Sequence, residues 1–148
     1  EAAELYTSYL ASHTDALPNT TAEREMDTAM ARAATFLAME RHAGYIDSGA
    51  PPKGYGFIQR GKDLSEVNVL VGTGGVFAFG ERPELALSSA LANYVNPFSL
   101  RPKSPNLYAD QYNVLYAGGL LATLDRDKAL RLLKSSLRPL PSPSGHEQ

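Results

Sequence analysis

The residues best suited to chemistry in this chain are Gly72-Thr73-Gly74-Gly75, set between the apolar runs 67–71 and 76–79. Three glycines within four residues let a backbone turn sharply and admit another group where a Cβ would stand in the way. The chemistry this suits is binding rather than bond-making: the phosphate or sugar of a nucleotide lying against bare backbone, with Gly74 as the position where an added Cβ would block the approach. The spacing is neither G-x-G-x-x-G nor the phosphate-loop pattern, and Lys62 precedes the strand, so it cannot act as a phosphate-loop lysine. A tight strand-to-helix connection would use the same glycines for packing alone.

Other reactive residue types are sparse. His13, His42 and His146 are scattered and cysteine is absent, so no metal site, disulfide or thiol nucleophile is expected. His42, near a helix carboxyl end, is placed to favour the helix dipole when protonated. Lys62 and Asp63 are adjacent, so their side chains diverge and read as solvated loop charges. A net charge of −2 gives no electrostatic case for nucleic acid or an anionic membrane. No signal peptide and no apolar run of bilayer length occur, which is compatible with a cytoplasmic protein. The chain opens inside a helical pattern without Met, as a piece of a longer protein would.

The elements that must position the glycine turn follow from pattern. Residues 1–13 read as a helix with Leu5, Tyr9 and Leu10 along one stripe, broken at Pro18. Thr20 and Glu23 have capping-box spacing, opening a second helix to about His42. Its stripe is Met26, Met30, Ala33 and Leu37, and Ala29, Ala33 and Ala34 would let it lie close on a sheet. Gly44 is expected as the left-handed residue that ends it. Residues 45–47 and 55–60 read as a hairpin joined by the loop 48–54. The run 67–71 reads as a strand buried on both faces, its carboxyl end opening into the glycine turn, where ligands of α/β sheets sit.

Pro83 opens a helix over 84–94, with Leu85, Leu87 or Ser88, Leu91 and Ala92 inward. The three prolines of 96–105 mark a structured surface crossing. Leu107-Tyr108-Ala109 is expected as a short edge strand, with Asp110 as the cap of the next helix. That helix, 111–124, is apolar nearly all round and reads as buried. Its Ala117-Gly118-Gly119 costs about 1 kcal/mol per glycine, offset most simply by close approach to the Gly72–Gly75 turn. A last helix runs from Asp125 or Asp127 to Leu137, with Ala129, Leu130, Leu133 and Leu137 inward, and 138–148 read as a Pro/Ser-rich disordered tail.

Arg41-His42-Ala43-Gly44, Gln59-Arg60-Gly61-Lys62-Asp63-Leu64, Val71-Gly72-Thr73-Gly74-Gly75-Val76-Phe77 and Asn96-Pro97-Phe98-Ser99-Leu100-Arg101-Pro102-Lys103 occur in that order, followed by Tyr108-Ala109-Asp110 before an apolar helix. Over about residues 21–137 this resembles the carboxyl-terminal part of the GlmL/MutL family, proteins associated with adenosylcobalamin-dependent mutases such as glutamate mutase. No motif of the unrelated mismatch-repair MutL is present. The resemblance implies an α/β fold: part of an actin-like ATPase (ribonuclease H-like) domain, a small sheet flanked by helices. Residues 1–137 would then be a carboxyl-terminal lobe fragment. It also implies that Gly72, Thr73, Gly74 and Gly75 form the nucleotide-binding adenosine motif for ATP or ADP. The 116–121 helix would be the small-residue helix packed near it, and Gln59, Lys62, Asp63 and Asp110 would be accessory.

The Mg²⁺-holding carboxylates of that superfamily lie on D-x-G-[ST] hairpins. The nearest match here, Asp47-Ser48-Gly49, has its serine before the glycine. The catalytic residues and the metal therefore belong to other parts of the whole protein, and this segment alone is expected to be inactive. The function implied is the nucleotide-binding lobe of an ATP-dependent, chaperone-like reactivating factor whose partner is a B12-dependent mutase. A small-molecule kinase of the same superfamily, or a non-catalytic interaction module using the proline-rich crossing, are the alternatives.

Overall fold

The computed structural model describes residues 2–49, 56–93 and 95–142. The expected hairpin loop falls partly outside them, over 50–55, as do Tyr94 and 143–148. Helix α1 spans Ala2–Ser12 and α2 spans Thr21–His42. The start of α2 is fixed as its sequence predicts: Thr20 Oγ1 accepts from the Glu23 amide (3.2 Å) and Glu23 Oε2 from the Thr20 amide (2.9 Å), a reciprocal capping box. The helix ends differently. Ala43 is the cap, in extended conformation, and Gly44 is not left-handed. A Cβ on Gly44 would stand 2.3 Å from the Arg60 carbonyl oxygen, so this glycine serves close backbone approach.

No residue of α1 or α2 is buried, and Ala29, Ala33 and Ala34 are exposed. The alanine face does not lie on a sheet; α2 packs beside α4 (Pro83–Ser88). Helix α4 is shorter than expected. Pro83, Ala86, Leu87 and Ala90 are its buried residues and the turn after it, while Ala92 is exposed.

Strands β1 (Tyr45–Gly49) and β2 (Gly56–Arg60) pair antiparallel as a separate hairpin. The proline-rich crossing ties it to the body. The Phe98 carbonyl accepts from the Ile46 amide, Leu100 donates to Gly44 and accepts from Leu64, and Pro102 accepts from Ala92. Arg101 is 1% exposed at the middle of this crossing.

The main sheet has the order β3–β4–β5, built from Val69–Gly72, Asn106–Asp110 and Leu137–Pro139. β3 runs parallel to β4, and β5 antiparallel. Two expectations reverse here. The 67–71 run is an edge strand with Val69 half exposed (50%), not a strand covered on both faces. Leu107-Tyr108-Ala109 lies in the central strand, its Leu107 and Ala109 buried against Leu87 and Leu140, with Leu70, Phe77 and Leu91 alongside. The tail expected to be disordered from residue 138 begins as structure. Pro139 closes β5, and the Leu140 amide donates to Leu107.

After β4 the chain forms α5 (Leu115–Leu121) and α6 (Arg126–Ser136), the latter capped by Asp125 Oδ1 on the Lys128 amide. Helix α5 is largely exposed: Tyr116 and Leu120 face solvent, as does Leu124 beyond its end, and Gly118 is its buried residue. On α6, Ala129 is buried but Leu130 is half exposed. The offset for the mid-helix glycines is contact with α6 rather than with the glycine turn. A Cβ on Gly118 would lie 2.1 Å from Leu133 Cδ2, whereas one on Gly119 would meet nothing. Gly118→Ala is therefore expected to destabilise by about 1–3 kcal/mol through overpacking. Gly119→Ala is expected to stabilise by a few tenths or more. Urea denaturation of the pair, with Gly118→Ala/Leu133→Ala as the relieved double variant, checks the assignment.

Candidate functional site

The glycine turn joins β3 to α3 (Gly75–Phe79), and its glycines do different work. Gly72 is buried under the Phe77 ring; a Cβ there would be 2.4 Å from Phe77 Cδ1. Gly72 is thus a packing glycine. Gly74 caps α3 at φ 103°, a conformation that side chains resist, and its carbonyl accepts from the Phe77 and Ala78 amides. A Cβ on Gly74 or on Gly75 would meet no atom within 4 Å. The bare part of the turn is therefore Gly74-Gly75. Substitution at Gly74 would strain the backbone whether or not a ligand binds, so Gly75 discriminates better.

Asp110, at the end of β4, holds the turn from behind. Its carboxylate is 0% exposed. It accepts from Thr73 Oγ1 (3.0 Å) and the Leu115 amide (2.9 Å) through Oδ2, and from the Ser136 hydroxyl through Oδ1. Desolvation pushes this carboxyl up, but donation from Ser136, from the Leu115 and Val114 amides and from Thr73 outweighs it, leaving the pKa below the ordinary carboxylate value. Asp110 is not the α5 cap residue itself, which is Val114. It reaches the helix start across a turn in which Asn113 takes φ 51°. One carboxylate thus ties the glycine turn, the start of α5 and the end of α6 together.

In front of Gly75 lies a cleft of about 510 Å³ between α2 and the α3–α4 segment. Its apolar lining is Leu17, Pro18, Ala31, Val76, Phe79 and Ala86, of which Leu17 and Phe79 are largely exposed, and Arg24, Asp27, Thr28, Glu81 and Arg82 supply its polar groups. Arg24 Nε pairs with Glu81 (3.1 Å) and Arg82 Nε with Glu84 (3.6 Å), while Asp27 Oδ1 accepts from the Tyr6 hydroxyl at 2.9 Å. A volume in this range, mostly apolar with a few convergent polar groups, is the usual form of a small-molecule site.

Of the sequence-predicted accessory residues, only Asp110 touches the turn. Gln59 is exposed on β2 and Lys62 is exposed, its backbone bridged to Ala43. Asp63 turns back on the Ser65 amide (2.9 Å), which holds its pKa below the ordinary value together with the Ser65 hydroxyl. None of these lines the cleft. Nothing in the sequence marks Arg24 and Asp27, which sit on a helix with no motif around them; a cleft made by tertiary packing leaves no local signature. Among the described residues, no group of three or more His, Asp or Glu side chains could hold a metal ion, and no helix is long and apolar enough to cross a membrane.

Comparison with known proteins now adds an identity. The family model described as "MutL protein" matches residues 1–137. Protein MutL of Clostridium tetanomorphum is 40% identical over 129 residues, covering 87% of this chain but 28% of the relative. The chain therefore spans little more than a quarter of the length of the curated relative it matches. No solved structure matches. With the glycine turn and the proline-rich crossing both inside the matched span, the chain belongs to the MutL protein family.

Proposed function

We propose that this chain supplies the adenosine-side wall of a nucleotide site, in an ATP-dependent, chaperone-like factor that reactivates a coenzyme-B12-dependent mutase. The observation that carries the proposal is the unobstructed Gly75, which lines a cleft of about 510 Å³ and follows the equally unobstructed Gly74 in the turn. The residues fit a nucleoside better than its metal. The bare turn leaves room for a sugar or phosphate, and the apolar lining suits a base. Thr28 and Asp27 can meet ribose hydroxyls, and Arg24 and Arg82, held by Glu81 and Glu84, would have to exchange these partners to meet a phosphate.

Mg²⁺ would be held by other parts of the whole protein, within an actin-like ATPase fold. Binding would bias the mutase partner's affinity only by favouring one conformation of the whole protein over another. A segment with this division of labour binds without turnover. Purified residues 1–148 are expected to release no phosphate from ATP above buffer, measured by a coupled phosphate assay.

Gly75→Val tests the site. A Cβ at this position meets no protein atom within 4 Å, so stability is expected to stay within about 0.5 kcal/mol of the parent. The methyl groups occupy the ligand's approach, and the affinity of the full-length protein for ATP and ADP is expected to fall at least tenfold, about 1.4 kcal/mol or more, by titration calorimetry. Unchanged affinity in the folded variant removes the site.

A further inference from the structure

The two edges of the main sheet are treated differently. β5 is a short strand carrying Arg138 and Pro139, both standard means of keeping an edge from pairing with another chain. β3 reads Val69-Leu70-Val71-Gly72, with no charge, no proline and, among the described residues, no neighbour beyond it. Its hydrogen-bonding direction follows from the ladder. The Asn106 amide donates to the Asn68 carbonyl, and the parallel register pairs Leu70 with Leu107. Residues 68, 70 and 72 therefore face β4, while the amide and carbonyl groups of Val69 and Val71 point away from the sheet. Parallel pairs are characteristically interior to larger sheets, yet Val69 is half exposed.

From this asymmetry we infer that the β3 edge is a strand-docking site. Its occupant is an extended segment from the remainder of the full-length protein, bonded to the outward amides and carbonyls of Val69 and Val71. The curated relative carries nearly three-quarters of its length outside the matched span, which supplies ample chain. An apolar edge without charge or proline is a template for pairing with another strand, and covering it is one way such pairing is satisfied.

Amide hydrogen exchange on the full-length protein tests this, with Leu70, bonded within the sheet, as the internal reference. The Val69 and Val71 amides are expected to exchange within tenfold of Leu70, at all protein concentrations. Exchange more than tenfold faster than Leu70 means an open edge and overturns the proposal. Protection that disappears on dilution assigns the edge to a second copy and equally overturns it. Val71→Pro removes an amide that the β3–β4 ladder does not use. It is expected to accelerate Val69 exchange at least tenfold while the Leu140 amide, bonded to Leu107, stays slow. Val69 protection unaffected by Val71→Pro contradicts strand addition.

Discussion

Asp110→Ala is expected to lower stability by about 3–5 kcal/mol, the largest effect of any single change at the site. The loss is not that of one contact. The Ser136 side chain is 0% exposed, and its hydroxyl would lose its acceptor together with the Leu115 amide. Buried donors left without partners cost about 1–3 kcal/mol each. Thr73, being exposed, can turn to water, so its share falls on the geometry of the turn rather than on stability. Nucleotide affinity of the folded remainder should drop as well.

Asp110→Asn keeps the volume but turns a donor toward donors, and is expected to recover less than half of the loss. Because the folded carboxyl titrates below its unfolded value, its stabilisation is complete above about pH 4 and is lost as the pH falls through the lower folded pKa. Urea midpoints measured from pH 6 down to pH 3 should fall more steeply for the parent than for Asp110→Asn. Parallel slopes would show that the carboxylate is not the group responsible.

Arg101→Ala comes second, at about 2–4 kcal/mol. The guanidinium lies 4.2 Å from the Phe36 ring centroid. It donates to the Phe36 carbonyl (3.1 Å), the Ser89 carbonyl (3.3 Å) and the Glu40 carboxylate. One side chain thereby joins α2, the end of α4 and the crossing. The Glu40 side chain is 43% exposed, so water takes over its charge and the ion pair itself contributes little. The cost lies in two carbonyls stripped of their donor and in the volume lost, moderated by the unpartnered Arg101 Nε.

Arg101→Met, which keeps the stem, is expected to fall between Ala and the parent. Arg101→Lys cannot fork to both carbonyls and the carboxylate and should remain at least 1 kcal/mol below the parent. Chemical denaturation of the series gives the order. Since α2 also lines the cleft, the same variants are expected to weaken the proposed nucleotide binding from a distance.

What was legible in the sequence was what is local. The Thr20–Glu23 capping box set the start of α2 correctly because both partners lie within one turn. The Val-rich run and glycines place a strand and a turn correctly, whereas the short helix after them reads in the sequence only as an apolar run. Burial was not legible. The hydrophobic run before the glycine turn forms a sheet edge, and the apolar helix after Asp110 is open to solvent. An apolar surface reads the same whether its cover is in this segment or elsewhere.

Pairing order is likewise a long-range property, so Leu107-Tyr108-Ala109, short and flanked by loops, gave no sign of being central. Leu137 to Leu140 lay in a proline-rich stretch whose composition suggests disorder. Its role depends on meeting β4, nearly thirty residues earlier. Ala117-Gly118-Gly119 reads in the sequence as a close approach to the glycine turn, but only Gly118 makes a close approach, and it is to Leu133 of α6, a contact that no local pattern marks.

The central claim is that a nucleotide lies on Gly74-Gly75 and in the cleft beside it, and photolabelling tests that most directly. Full-length protein irradiated with an azido-adenine analogue of ATP and mapped by mass spectrometry should carry the label on the cleft segments 17–31 or 75–86. Excess ATP should abolish it. A label found only outside those segments, or one that ATP does not displace, would contradict the account.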